Sequence, residues 1–134
     1  MNRFVPLLAN VLLALAPVPS QAADSSPGPA LYARYCATCH GGNVRGDGPT
    51  AAVLDIAPPD LTKLAALNGG TFPMERVLHR IDGRESLVAH GSPMPFYGAF
   101  FDGAPIVQAD TPVGPVSASR PVLELANFLS NLQR

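Results

Sequence analysis

The sequence predicts an all-α domain, a few short helices joined by Gly/Pro-rich loops and wrapped around something the chain does not supply itself. Three observations lead there. Helix-like patterns occur at about residues 30–39, 71–83 and 121–133, and no strand-like run precedes Cys36. The 12 glycines and 15 prolines make up about a fifth of the chain, below the roughly 25–30% of low-complexity disorder. Trp is absent and Phe numbers only 6 among 134 residues, so the apolar core is thin and a large apolar cofactor would complete it.

The first helix is read from Leu31-Tyr32-Ala33-Arg34-Tyr35 and is expected over Ala30–Cys39. The second spans Thr71 to Gly83, with Thr71 as a cap, Pro73 in the first turn and Gly83 as the stop. Met74, Val77, Leu78 and Ile81 share one face of it, and His79 lies off that face. The last is expected over Pro121–Gln133, with Ser119 as a possible cap and a stripe of Val122, Leu125, Leu129 and Leu132. Asp102–Ser119 is rich in Gly and Pro and reads as a loop, a spacer in preference to a partner-binding element.

The length allows one domain, and no internal repeat is present. The formal net charge is -1 and Lys63 is the one lysine, which excludes a nucleic-acid-binding surface and a lysine-rich docking ring. Met1-Asn2-Arg3, the apolar run from Phe4 to Val18 and the small residues Ser20 and Ala22 form the three-part pattern of a secretory signal. Residues 1–22 are therefore expected to be cleaved after Ala22, with Ala23 as the alternative, and 23–29 to form a mobile lead before a domain over 30–134. The apolar run is about fifteen residues long, short of the ~20 a spanning helix needs. No stable membrane insertion is expected after cleavage.

The 2 cysteines, Cys36 and Cys39, stand in Cys36-Ala37-Thr38-Cys39-His40. A disulfide over so short a loop would stabilise little. Cys-x-x-Cys-His is the pattern of c-type haem attachment: each thiol adds to one vinyl group, and His40 offers its imidazole to the iron. Export fits, because bacterial haem c is attached outside the cytoplasmic membrane. A redox dithiol would favour a preceding strand, zinc would need a fourth ligand, and a structural bridge is the plainest rival. For the iron's other side the candidates are Met94, His90, Met74 and His79. Met94 leads: Pro93 and Pro95 hold it in a stiff extended loop, whereas Met74 reads as core.

On these residues the chain resembles class I cytochromes c, and more narrowly the small bacterial periplasmic monohaem cytochromes and the cytochrome subunits of periplasmic dehydrogenases. The shared pieces are Cys36 to Gly41, Gly46-Asp-Gly-Pro49, Pro58-Pro-Asp-Leu-Thr62, Asn68 to Pro73, His90-Gly91 and Met94-Pro95. The resemblance implies that the Pro59 carbonyl orients the His40 ring, that Leu61 packs on the haem, and that the N- and C-terminal helices cross. Tyr97 stands where many relatives carry tryptophan, and Phe128 where tyrosine is frequent. The implied protein is a periplasmic electron carrier with one haem c and His40/Met94 ligation, without bond-making catalysis. It would pass single electrons between a periplasmic dehydrogenase and a terminal oxidase or another cytochrome. A permanently bound haem subunit of a periplasmic oxidoreductase is the alternative, and an open-site sensor or peroxidase a further one. Arg76, Arg80 and Arg84 read as a solvated helix face, with a docking stripe for an acidic partner as the sharper alternative.

Overall fold

The computed structural model describes residues 27–84 and 94–134. The expected signal segment, most of the expected lead, His90 and Pro93 lie outside the described residues. Helix α1 is Gly28–Tyr35 and α2 is Ala37–His40. They part at Cys36, where φ is -116° and ψ -35°, so the helix expected over 30–39 is two short ones. The joint stays hydrogen-bonded: the Cys36 N–H donates to the Tyr32 carbonyl at 2.9 Å, and the His40 N–H to the Cys36 carbonyl at 2.9 Å.

Helix α3, Met74–Asp82, follows Pro73 in the capping position, which the side chain of Thr71 does not fill. Gly83 ends it, as the sequence predicts. Val77, Leu78 and Ile81 are buried and Met74 packs beside them, while His79 is half-buried. Helix α4, Arg120–Ser130, starts after Ser119. Val122, Leu125, Ala126 and Leu129 are buried along one face, which is the i, i+3, i+4, i+7 stripe of an amphipathic helix. Leu132 packs half-buried beyond its end.

One element departs from the helical plan. Ile106–Thr111 (β1) and Gly114–Ser119 (β2) pair antiparallel from Ile106 opposite Ser119 to Thr111 opposite Gly114. The stretch read as a loop is thus a hairpin. Ala109 and Ala118 are buried, and Val107 and Val116 lie on the same alternating face, half-exposed. Both strands pack on α4. Pro115 is tolerated because each strand of a two-stranded ribbon has an open edge that needs no donor. The fold remains mainly helical, with this small sheet added, and is compatible with the class I cytochrome c architecture.

The crossing of α1 and α4 depends on close backbone approach. A Cβ on Gly28 would lie 2.6 Å from the Glu124 carbonyl oxygen and 2.9 Å from the Phe128 Cβ. Beside it the Tyr32 and Phe128 rings meet with centroids 5.2 Å apart. The Tyr32 hydroxyl donates to the Gly41 carbonyl at 2.8 Å, tying the crossing to the loop after α2. Gly28→Ala is expected to lower the unfolding free energy by about 1–3 kcal/mol through overpacking. Gly42→Ala, where nothing lies within 4 Å, should stay within about 0.5 kcal/mol. Thermal denaturation of the two variants compares them.

Candidate functional site

Beside the core is a cavity of about 570 Å³, within the size range of cofactor sites. Cys36, Cys39, His40, Pro59, Leu61 and Met94 all line it, so three separate stretches of sequence meet there. α2 and the Cys36 joint before it bring the cysteines and the histidine. The loop before and through the 3-10 turn Leu61–Lys63 brings Pro59 and Leu61. Met94 arrives with a segment held against the end of α3, where the Tyr97 N–H donates to the Ile81 carbonyl at 2.9 Å.

Burial, followed by the charge of Cys39, pushes the Cys36 thiol up to about 11. That is opposite to the lowered values of catalytic dithiols, and it weighs against a redox Cys-x-x-Cys. The Thr50 hydroxyl donates to the Thr38 carbonyl at 2.9 Å and lies 3.3 Å from the Cys39 sulfur, fixing that end of α2. Among the described residues no group of three or more His, Cys, Asp or Glu could hold a metal ion, which gives no support to the zinc reading.

Burial lowers the pKa of His40, and the Pro59 carbonyl, acting on the ring as an acceptor, partly offsets this. The contact stops short of a complete hydrogen bond, because His40 Nδ1 is buried without a partner in bonding geometry. The ring is thereby kept neutral, with a nitrogen available as a ligand, and the Pro59 carbonyl is the acceptor that acts on it. Met94 is half-buried and packed against the core. Two thiols, one neutral imidazole, one thioether and walls such as Leu54, Leu64, Val77 and Ile81 make a donor set suited to a flat apolar cofactor with a soft metal centre.

Several further residues line the cavity that motif and spacing do not place there, although the resemblance singles out Tyr97. Tyr35 and Tyr97 line the wall together, and the Tyr97 hydroxyl donates to the Tyr35 carbonyl at 2.6 Å. Arg76 and Arg80, read from sequence as an outward stripe with Arg84, border the cavity. Arg84 turns elsewhere: it pairs with Asp82 and donates to the Ser117 carbonyl. Arg84 is thus tied to the hairpin, whereas Arg76 and Arg80 border the cavity.

Residues 25–102 match the family model described as Cytochrome c. No curated protein and no solved structure matches the chain.

Burial first, and then the charges of Cys36 and Cys39, raise the Tyr97 pKa; burial raises that of Tyr32. A phenol that holds its proton more tightly when folded costs stability as pH rises above the ordinary tyrosine value of about 10. Spectrophotometric titration should show these phenols ionising late, with fold stability falling over the same range. Tyr97→Phe should reduce that alkaline loss, while losing at neutral pH the bond to Tyr35, about 0.5–1.5 kcal/mol.

Proposed function

The chain belongs to the cytochrome c family, a family of haem-binding electron-transfer proteins, and from that premise we propose that it is a periplasmic single-electron carrier. It would hold one haem c through thioethers at Cys36 and Cys39, with His40 and Met94 as axial ligands. It would work between a dehydrogenase and a downstream acceptor, a terminal oxidase or another cytochrome. The observation that carries this reading is the convergence of all four side chains, with Pro59 and Leu61, on one mostly apolar cavity.

Bound haem supplies a one-electron iron couple whose potential depends on axial ligands and burial. The protein's own part is binding, orientation and exclusion of water. His40, held neutral, needs no deprotonation before it ligates. Met94 offers a neutral sulfur, and His/Met ligation favours a higher potential than two histidines. Pro95 restricts Met94 to extended backbone, so presenting that sulfur costs little entropy. The apolar wall disfavours added charge. Ile56, 62% exposed on the cavity lining, offers an apolar edge for a small and transient contact.

Export rests on the N-terminal pattern, and among the described residues no helix is long and apolar enough to cross a membrane. The permanently bound subunit is a second reading, favoured by Ile106 and Val113 of the hairpin, which are 68% and 72% exposed. Size exclusion of the native complex separates it from a free carrier. Carbon monoxide binding to the folded ferrous protein would instead support an open sixth position.

Two predictions test this reading. The ferric protein should show the long-wavelength sulfur-to-iron charge-transfer band, and Met94→Ala should abolish it. A wild type without the band, or a variant that keeps it, overturns the ligand assignment. Sequencing of the mature protein should begin at Ala23; a retained Met1 would remove the cleaved-signal reading.

A further inference from the structure

Pro58 and Pro59 have no N–H to donate, so their own backbone supplies no anchoring donor for the Pro59 carbonyl. The holds begin just after it. On one side the Leu61 N–H donates to the Val44 carbonyl at 3.0 Å. On the other, residues just beyond α4 reach back. Gln133 Nε2 donates to the carbonyls of Leu61 at 2.9 Å and Leu129 at 2.7 Å, and its Oε1 accepts from the Ala65 N–H at 2.9 Å. The Arg134 N–H donates to the Thr62 carbonyl at 3.1 Å, and its Nε to the Thr62 hydroxyl at 2.9 Å. Its guanidinium lies 3.6 Å from Asp60. Thr62 is 6% exposed, and its hydroxyl donates to Asp60 at 2.5 Å. Asp60, Leu61, Thr62 and Ala65 are thus all held by two residues from the far end of the described chain.

We infer that Gln133 and Arg134 are positioning residues for His40. They hold the 59–65 segment so that the Pro59 carbonyl faces the imidazole and Leu61 stays on the cavity wall. This rests on the proposed ligation by His40. An imidazole whose N–H is hydrogen-bonded is a stronger donor to its metal, and a stronger donor favours the oxidised ion. Releasing the segment lets the Pro59 carbonyl move off the ring N–H, loosens that polar contact and shifts the equilibrium toward the reduced state. A merely structural role predicts the opposite sign, because an opened wall admits water and stabilises the more charged oxidised state.

The test uses the full haem-loaded protein. Gln133→Leu retains side-chain bulk and removes all three bonds. Equilibration with a reference redox dye should move several-fold toward ferrous; a tenfold movement would equal 59 mV for a one-electron couple. The His40 ring N–H should also exchange faster with deuterated water by NMR. An unmoved equilibrium, or movement toward ferric, overturns the inference. Arg134→Ala should act in the same direction but less, since its backbone bond to Thr62 survives; it decides the question if Gln133→Leu does not mature. Asn131→Ala, an exposed position on the same terminal turn, should move nothing, and a shift as large there would reduce the effect to fraying of the helix end. If the sulfur-to-iron band is present and Gln133→Leu moves nothing, the positioning role fails alone. If wild type lacks the band, the functional reading fails first.

Discussion

Between the loop after His40 and the Pro58–Pro59 carbonyls there is room for backbone and nothing else. A Cβ on Gly46 would lie 2.1 Å from the Pro58 oxygen and 3.0 Å from the Pro59 oxygen. Gly46 also has φ +80°, a conformation that costs other residues. Its N–H donates to the His40 carbonyl at 2.8 Å. One residue therefore joins the segment that carries the imidazole to the segment that faces it. The cavity wall depends on that approach: with a side chain at 46, the Pro59 loop would be pushed off and Leu61 carried with it. Val44, two residues earlier, accepts from Leu61 and is itself buried at φ 68°. A β-branched residue in that region is strained, and its burial helps to hold it there.

Core and cavity are made from the same helices. Leu78, Val122 and Leu125 are almost fully buried among side chains. Val77, Ile81 and Leu129 count in the core and also line the cavity. A ligand that fills the cavity covers the second surface of side chains whose first surface already holds α3 and α4 together. Binding and folding are coupled by that sharing, as they are wherever a ligand binds the folded state alone. The absence of tryptophan and the small number of phenylalanines become intelligible: the chain leaves part of its interior to be occupied.

What could be read from the sequence tracks how local its cause is. Cys36, Cys39 and His40 are adjacent because one turn of chain must present all three, so the chemistry is written in the spacing. Met94 is marked by the prolines beside it. Pro59 and Leu61 came from resemblance, since what places them is distant: Val44, Gly46 and Gln133. The hairpin is hidden in the sequence because Gly and Pro outweigh the alternation of Val107 with Ala109 and of Val116 with Ala118. Alanine is too weakly apolar to announce a buried strand face. Arg76 and Arg80 lie off the Val77, Leu78, Ile81 stripe and read as outward, but the cavity continues past the edge of that stripe.

Proline content, read first as a sign of loops, has a mechanical meaning at this site. An electron carrier works best when its ligands and walls keep their places in both oxidation states, and a site gains precision from rigid supports. Much of this wall, from Leu54 to Leu64 and from Met94 to Tyr97, lies outside the α-helices. Its stiffness comes from Pro58, Pro59 and Pro95, which line the cavity with φ already fixed and so lose less entropy on folding. Proline carries a limitation, for it offers no donor by which a loop can be fastened. The fastening is therefore done by neighbours: Leu61 on Val44, Ala65 on Gln133 and Tyr97 on Ile81. Each proline-stiffened stretch is held through a residue that follows it, and the anchor is in every case far away in sequence. A loop built this way is short of regular structure without being loose, which is how so Gly/Pro-rich a chain can still hold a wall around one cavity.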